Sequence, residues 1–380
     1  MRSTVTAISL PMASVAPVAN DCTGVRLSAR DGSVIHARTL EFGIDIQSNV
    51  LIVPRGFART ASEPDGKPGM QWTSKYAVVG ANGAGVPFIF DGHNEKGLAV
   101  GTFYFPGAPQ YMQYTAVDAG HSLASWELGS WLLENFASVD EVRADIDKVR
   151  VPAVEFAAWK MVPSVHHVVH DASGKSMTLE YLGGKLGVFD NRLGVLANSP
   201  GFDWHMTNLR NYVNLSARDV SERQFGPVKV TPTGIGPDLL GRPGGMTPPS
   251  RFVRAAAFSQ ALYPSDIGYA AVLQAFHLLN NFDVPRGIAR TVELDAEGNR
   301  LADSALWTSA NDLKAKRFNF RTFENSQIRM VDLMSIEVGC QGDCVPLDEG
   351  RRRGQGLYKL TSREAFLILG IGRSCWCPLA

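Results

Sequence analysis

CTGVRLSARDGSVIHARTLEF, residues 22–42, contains the clearest structural signal in the chain. Two alternating apolar runs flank Asp31-Gly32, and an Asp-Gly pair in this setting is a strong signal for a β-hairpin. The hairpin returns the chain so that Arg38 and Glu41 lie near the start of its first strand. If Cys22 begins the mature chain, its thiol and free amine share a small volume with a guanidinium and a carboxylate. We therefore predict nucleophilic catalysis by a terminal residue.

Composition narrows the class of protein. The chain has 380 residues and 45% hydrophobic content, which is enough for a sizeable core in one large domain or two. Lys plus Arg and Asp plus Glu number 37 each, so no net field attracts nucleic acid or an anionic membrane. Because the charges balance, we expect no nucleic-acid partner. The apolar runs are too short for a membrane-spanning helix, so we expect a soluble protein with no membrane insertion.

The five cysteines are unevenly distributed. Cys22 stands alone near the front, and the others lie in the C-terminal tail, at Cys340, Cys344, Cys375 and Cys377. This placement excludes a disulfide framework for the main body. The C-x3-C and C-x-C spacings leave a zinc site in the tail as an alternative, but no flanking pattern supports it.

Residues 1–21, MRSTVTAISLPMASVAPVAND, form a weak secretory signal because Ser, Thr and Pro interrupt the apolar stretch. We predict a leader or propeptide that is removed to expose Cys22. A retained N-terminal segment is the alternative. The compartment stays open between cytoplasmic and periplasmic or secreted.

The rest of the chain alternates groups of strands with pairs of helices. We predict strands at residues 49–54, 75–80, 87–91, 98–105, 165–171, 176–182, 289–295, 304–310, 317–324 and 327–333. Helices are predicted within 122–136, from a Ser138 capping box, and at 250–262 and 265–282. The segments 198–215 and 231–249 are predicted as long loops.

This order of elements predicts an α+β fold, with two sheets packed face to face and helices outside in a four-layer αββα sandwich. The domain is expected to span residues 22–336. Residues 337–380, where the pattern weakens, are expected to be an appendage of unknown role.

Four separated blocks resemble one known family: CTGVRLSARDGSVIHARTLEF, DGHNEKGLAVGTFYFPG, LANSPGFDWHMTNLRNYVNL and PGGMTPPSRFVRA. Together they resemble the choloylglycine hydrolase family of penicillin V acylases, conjugated bile salt hydrolases and related N-acyl homoserine lactone acylases. The resemblance covers Cys22 to Leu333. It implies the αββα fold of N-terminal nucleophile hydrolases, a small-molecule acyl-amide substrate and no cofactor. Members of this family are commonly homotetramers.

Cys22 matches the family's nucleophile. A free α-amine has a pKa of about 7.7–8.0 and can accept the thiol proton, whereas an amide nitrogen cannot, so catalysis requires cleavage after Asp21. The resemblance implies that Arg38 lowers the pKa of the thiol, with a surface ion pair as the alternative. Glu41 stands where the family has Asp and is expected to hold the amine or thiol, with one extra methylene in its reach.

The resemblance also implies an oxyanion site. Asn198 matches the family's side-chain donor, and Tyr104 matches the position whose backbone N–H is the second donor. Arg251 matches a second arginine near the nucleophile. The alternatives are a turn-forming Asn before Ser-Pro and a solvent-facing Arg at a helix start, where an Arg gains nothing from the helix dipole.

An apolar acyl pocket is assigned to aromatic residues near these blocks, with plain core packing as the alternative: Phe42, Phe103, Phe105 and Trp204. The run HHVVH, residues 166–170, suggests zinc. On a strand, however, its outer histidines are about 13 Å apart, so we expect solvated histidines instead. A papain-like Cys–His pair has no supporting pattern around Cys22.

These observations predict a hydrolase of linear amide C–N bonds that join an apolar acyl group to a polar amine. A conjugated bile salt hydrolase or a penicillin V acylase is the main prediction. The alternatives are an N-acyl homoserine lactone acylase and an unprocessed family member that binds ligand without catalysis.

Overall fold

The computed structural model describes residues 21–157, 159–294, 298–336, 343–346 and 358–359. The leader from residue 1 to 20 lies outside the described residues, as do Cys340, Cys375 and Cys377. Only the backbone of Cys344 is described. The predictions for these parts of the chain remain predictions.

The first half of the chain is mostly strands: β1 (Cys22–Ser28), β2 (Val34–Phe42), β3 (Asn49–Val53), β4 (Ala58–Ser62), β5 (Pro68–Thr73), β6 (Val78–Ala81), β7 (Asp91–Asn94), β8 (Leu98–Tyr104), β9 (Val165–Asp171), β10 (Ser176–Leu182) and β11 (Lys185–Asp190). The second half adds β12 (Arg223–Phe225), β13 (Val228–Val230), β14 (Ala289–Leu294), β15 (Arg300–Asp312), β16 (Arg317–Thr322), β17 (Arg329–Asp332), β18 (Asp343–Pro346) and β19 (Tyr358–Lys359).

Five α-helices connect these strands in the described chain: α1 (Leu128–Asn135), α2 (Val139–Asp145), α3 (Phe202–Leu209), α4 (Pro248–Ala261) and α5 (Gly268–Leu279). Ser138 caps α2 as predicted, because its side chain accepts a hydrogen bond from the Glu141 N–H at 3.2 Å. The prediction of a loop over 198–215 is wrong, since α3 lies within it. Only Phe202 and His205 of α3 are buried, which left too weak an apolar stripe to detect.

The β1–β2 hairpin forms as the sequence predicts. The two strands pair antiparallel from Cys22 opposite Leu40 to Ser28 opposite Val34. Gly32 adopts a φ of 83° in the turn, a left-handed conformation that suits glycine. The side chain of Asp31 accepts the Ser33 N–H at 2.9 Å and so stabilises the turn.

Two sheets form the centre of the molecule. The first has the order β1-β2-β15-β16-β17-β19, with β14 paired to β15. The second has the order β11-β10-β9-β8-β7-β6-β3-β18. Helices α4 and α5 pack on the first sheet, and α1 and α2 pack on the second. The sheets meet each other through β1 with β8 and β15 with β7, so the predicted αββα sandwich is confirmed.

The two sheets approach closely beneath the start of the chain. A Cβ atom on Gly24 would lie 2.6 Å from the ring of Phe103, so only glycine allows this contact. An isolated bridge then joins Gly24 to Leu196, with N–H···O distances of 2.8 and 3.1 Å. This bridge brings the segment that carries Asn198 alongside β1.

Candidate active site

Cys22 lies at the first position of β1, and its side chain is buried at 3% exposure. Because Cys22 is opposite Leu40, its side chain shares a sheet face with Leu40 and Arg38, the face that looks toward the second sheet. Arg38 is fully buried and its Nη2 donates to the Cys22 Sγ at 2.9 Å. Its Nη1 donates to the Thr102 carbonyl at 2.5 Å, and its guanidinium lies 4.1 Å from the centre of the Phe103 ring.

Burial raises the pKa of the Cys22 thiol above its ordinary value. The Arg38 and Arg251 guanidinium groups and the Tyr104 N–H, which points at the sulfur, oppose this rise, while Glu41 adds to it. Arg38 acts in the direction that the resemblance implies, toward a lower pKa, but in the full chain burial outweighs it. The thiol therefore stays protonated while residue 21 is still attached.

Asn198 joins the backbone of Cys22 to that of β8. Its Oδ1 accepts the Cys22 N–H at 2.7 Å, and its Nδ2 donates to the Tyr104 carbonyl at 2.6 Å. One further hydrogen on Nδ2 is available, since an amide group carries two donors. His205 on α3 holds the Asn198 carbonyl through Nε2 at 2.8 Å, and burial lowers the pKa of His205 to about 4.

Arg251 reaches the same point from the other side of the first sheet. It lies in the first turn of α4, which begins after Thr247 with two prolines. Its Nη1 donates to the Cys22 carbonyl and, at 2.9 Å, to Thr23 Oγ1. Its Nη2 donates to Asp21 Oδ1 at 2.6 Å and to Asn198 Oδ1 at 2.7 Å. Arg251 is therefore buried in the site and is not on the solvent face.

Glu41 is fully buried beside the Asp21–Cys22 bond, and its N–H donates to the Asp21 carbonyl at 2.9 Å. Neither carboxylate oxygen has a well-formed hydrogen bond within the described residues, although the Thr39 side chain lies close enough to favour the ionised form. Burial raises the pKa of Glu41 to about 8, although the nearby Arg251 guanidinium opposes this. At neutral pH this carboxyl is therefore largely protonated in the full chain.

A cleft of about 590 Å³, including its open mouth, begins at Cys22 and Arg38. Its wall is mainly aromatic and aliphatic: Leu40, Phe42, Ile46, Phe90, Tyr104, Trp126, Phe156, Trp159, Pro163 and Val165. Four of the rings are packed on one another, with centroid distances of 5.8 Å for Phe42–Trp159, 5.1 Å for Phe156–Trp159 and 5.2 Å for Trp126–Phe156. The cleft is suited to an apolar group attached to a carbonyl at Cys22.

The aromatic residues assigned from sequence fall in different places. Phe42 lines the cleft. Phe103 and Phe105 are fully buried, and Phe105 stacks on His166 at 4.1 Å, so both belong to the core. Trp204 is 44% exposed on α3, outside the cleft wall. The positions of these three residues do not support contact with an acyl group.

Sequence reasoning missed most of the cleft wall. Trp126, Phe156 and Trp159 lie in connecting segments outside the regular strands and helices. Their aromatic character was the available signal, but only the tertiary fold brings these segments together. Asp303 was also missed, and it is a buried carboxyl close to Asp21 and Arg251.

The HHVVH histidines are buried, so the expectation of solvated side chains is wrong. His166 lies 2.9 Å from Glu180 Oε1 and from the Ala197 carbonyl, and His170 lies 2.8 Å from His36. Burial lowers the pKa of His167 to about 3. Across the segments that the structure describes, no group of three or more His, Cys, Asp or Glu side chains is arranged to hold a metal ion.

An αββα sandwich with a cysteine at the start of its first strand, among two arginines and an asparagine, defines the class of N-terminal nucleophile hydrolases. The model of the linear amide C–N hydrolases, choloylglycine hydrolase family, matches residues 22–346. The chain therefore belongs to this family, and it is an amidohydrolase of linear amides.

Individual relatives agree with this assignment. The bile salt hydrolase/transferase of Clostridium perfringens is 33% identical over 316 residues, which cover 82% of this chain and 92% of the relative. The penicillin V acylase of Pectobacterium atrosepticum is 27% identical over 329 residues, covering 81% and 79%. A crystal structure of a variant of conjugated bile acid hydrolase from Clostridium perfringens superposes with a TM-score of 0.78 at 31% identity, covering 88% and 99%.

Two further features of the molecule are its helices and the size of its cleft. Among the described residues, no helix combines the length and the apolar character needed to cross a membrane. The size and apolar lining of the cleft suit a small molecule, in keeping with the amide substrates of the family.

Proposed function

We propose that residues 1–21 are removed and that the new terminal Cys22 hydrolyses amides in which an apolar acyl group is joined to a polar amine. The observation that carries this proposal is the meeting of three groups at one residue. Arg38 Nη2 lies 2.9 Å from the thiol, Asn198 Oδ1 lies 2.7 Å from the Cys22 nitrogen, and the apolar cleft opens at the same sulfur.

In the proposed reaction, the Cys22 Sγ adds to the substrate carbonyl carbon, and its proton moves to the free α-amine. The Tyr104 N–H and the remaining Nδ2 hydrogen of Asn198 donate to the oxyanion. When the tetrahedral intermediate collapses, the C–N bond breaks and the leaving amine takes the proton from the α-ammonium. Water then attacks the thioester with the α-amine as base, which releases the acid and restores the thiol.

The other buried groups position these atoms. Arg38 stabilises the thiolate, and Arg251 fixes the Cys22 carbonyl and Asn198. Glu41 lies beside the residue that must leave, so its carboxyl is placed to receive the new α-ammonium. The extra methylene of Glu41 compared with Asp lengthens its reach on the side of the sheet that faces α4.

Two acyl groups have specific support. The 33% identity to a bile salt hydrolase/transferase favours a steroid acid joined to an amino acid. The ring-lined cleft, whose wall includes Tyr104, favours the phenoxyacetyl group of penicillin V. Both are rigid apolar groups that bury well against aromatic side chains. A long-chain acyl homoserine lactone is the third substrate to compare.

The test is a hydrolysis assay on glycocholate, penicillin V and a long-chain acyl homoserine lactone, with Cys22→Ala as the control. We expect turnover of at least one of the first two, and none by the variant. A wild-type chain that binds these compounds without releasing amine would favour the binding-protein alternative. Turnover of the lactone alone would identify the chain as an N-acyl homoserine lactone acylase.

The ends of the mature domain, its oligomeric state and its cellular compartment are also proposed. The family match begins at Cys22, which supports a mature N-terminus there, while β18 and β19 pair with β3 and β17 of the two sheets from within the tail. Family resemblance also supports a homotetramer, which light scattering of the purified chain would test. Cell fractionation would decide between a cytoplasmic and an exported enzyme.

A further inference from the structure

Three acidic side chains surround one guanidinium behind the start of β1. Asp21 is held by Arg251, with 2.6 Å between Oδ1 and Nη2. Glu41 is fully buried and Asp303 is 1% exposed. Within the described residues, the buried Oδ1 of Asp303 accepts no hydrogen bond, and the buried Glu41 oxygens have no donor with good geometry, only the nearby Thr39 side chain. Buried carboxyls without donors are unusual and call for a physical explanation.

The register of the first sheet places Asp303 and Glu41 on one face. In the β2–β15 pair, Glu41 lies opposite Ala305 and Phe42 lies opposite Ser304. Side chains alternate along a strand, so Asp303 points to the same side as Ala305 and is a diagonal neighbour of Glu41. Thr23 is on this side too, because Arg251 reaches its hydroxyl from α4.

The electrostatics of this cluster depend on residue 21. The pKa of Asp303 is raised to about 7, mainly by burial and in part by the negative charge of Asp21, while Arg251 opposes the rise. Glu41 is subject to the same pair of neighbours. In the full chain, Asp21 therefore has the only carboxylate paired with Arg251 in the described part of the site, and its charge disfavours ionisation of the other two.

We propose that Asp303 is a positioning residue that becomes the counter-ion of Arg251 when Asp21 leaves with the leader. The proposal rests on the proposed removal of residues 1–21. Cleavage takes away the carboxylate bound to Nη2 and, with it, the like charge beside Asp303. Glu41 also lies near Arg251 but is assigned to the new α-ammonium, so without Asp303 the buried guanidinium would keep its contacts to the Cys22 carbonyl and Asn198 with no carboxylate of its own. An unpaired charge of this kind is strongly unfavourable in a protein interior.

In this account Asp303 touches no substrate and acts through Arg251. Asp303 takes the place of Asp21 and keeps the guanidinium of Arg251 fixed. The nucleophile and the Asn198 side chain therefore keep their positions after processing. Glu41 remains free to face the new α-ammonium. The leader thus contributes Asp21 to the charge cluster. When Asp21 leaves, Asp303 takes its place as the partner of Arg251.

The test uses the full-length gene product with Asp303→Asn, Asp303→Glu and the control Asp312→Asn. Asp312 is a buried carboxyl on the same strand that accepts the Lys314 and Ala315 N–H groups instead of approaching Arg251. Intact mass is measured first. In processed protein, Asp303→Asn should lower kcat roughly tenfold with little change in KM, which corresponds to one misplaced catalytic contact. Asp303→Glu should recover most of the rate, and Asp312→Asn should keep it.

Thermal unfolding at pH 9 separates the counter-ion role from simple packing. In a Cys22→Ala chain that retains residues 1–21, Asp303→Asn should raise the Tm, because it removes a buried carboxylate that has no partner. In processed protein the same substitution should lower the Tm, because it removes the partner of Arg251. This reversal of sign is a property that a packing role does not have.

Distinct results would overturn the proposal. An Asp303→Asn enzyme with unchanged kcat after verified processing would refute the role of Asp303 alone. A Tm lowered equally in processed and unprocessed chains would show a packing role instead. A wild-type mass that still includes residues 1–21 would contradict the proposed processing, and this proposal with it.

Discussion

Replacement of Arg38 by methionine is the substitution that most directly probes the activation of the thiol. Methionine has a similar length and fits an apolar setting, but it removes the charge 2.9 Å from Sγ and the hydrogen bond to the Thr102 carbonyl. Because Arg38 is fully buried, solvent does not screen the loss. The substitution therefore moves the pKa of the Cys22 thiol still higher, in the direction that burial already sets.

The magnitude follows from Coulomb's law. Two unit charges about 4 Å apart interact by about 4 kcal/mol at an effective dielectric constant of about 20. Each 1.36 kcal/mol corresponds to a factor of about ten, so the thiolate population should fall roughly a thousandfold. If the thiolate is the attacking species, kcat/KM should fall by a similar factor.

The assay is peptide-resolved alkylation of Cys22 by iodoacetamide as a function of pH, together with kcat/KM on the best substrate. Arg38→Lys retains a charge but loses the planar fork, so we expect an intermediate loss of roughly tenfold. Arg59→Met is the matched control, because Arg59 is a buried arginine paired with Glu134 at 2.7 Å, outside the cleft wall. It should lower stability without changing the alkylation profile.

An Arg38→Met enzyme with the wild-type alkylation profile would show that Arg38 does not activate the thiol. So would a kcat/KM within threefold of wild type, because the buried charge would then have no effect on the nucleophile. Equal loss of alkylation in Arg59→Met would show that the assay reports general unfolding.

Three further substitutions follow from the site. Asn198→Ala should lower kcat about 10²–10³-fold through loss of an oxyanion donor, and a change confined to KM would argue against that role. Trp159→Ala should raise KM about tenfold with a smaller effect on kcat, as measured by steady-state kinetics, since one ring of the cleft wall is lost. In unprocessed Cys22→Ala protein, the Glu41 pKa of about 8 means that folding takes up a proton, so stability falls as pH rises from about 4.5 to 8. Glu41→Gln should reduce this loss of stability, by at most about 5 kcal/mol. The free energy of unfolding is measured by chemical denaturation at pH 5 and pH 9. The same difference between the two pH values in the variant and its parent would contradict the raised pKa of Glu41.

Local patterns in the sequence were sufficient for most of the fold. Strands β9 and β10 have the predicted bounds, Val165–Asp171 and Ser176–Leu182, because β-branched and apolar residues are bounded by a clear turn. The predicted strand at 87–91 was misplaced, and β7 begins at Asp91. A four-residue strand buried on both faces has no alternation to mark its ends. The β4–β5 hairpin was missed because β4, ARTAS, has no large apolar residue and β5, PGMQWT, begins with a Pro-Gly pair that is more typical of a turn.

The candidate site was partly accessible from sequence and partly not. The structure brings Cys22, Arg38, Asn198 and Arg251 together, as the resemblance implied, although their catalytic roles remain proposals. Asp303 could not be found in the same way. A single Asp near the start of a strand has the pattern of an exposed polar position, and only the β2–β15 register and the packing of α4 make it a buried neighbour of Arg251.

The intact mass of the purified wild-type protein shows whether Cys22 is the first residue of the mature chain. The account predicts a chain whose first residue is Cys22, with a free amine at the nitrogen that lies 2.7 Å from Asn198 Oδ1. An active enzyme whose mass still includes Asp21 would contradict the account, because the Cys22 nitrogen would then be an amide with no basicity.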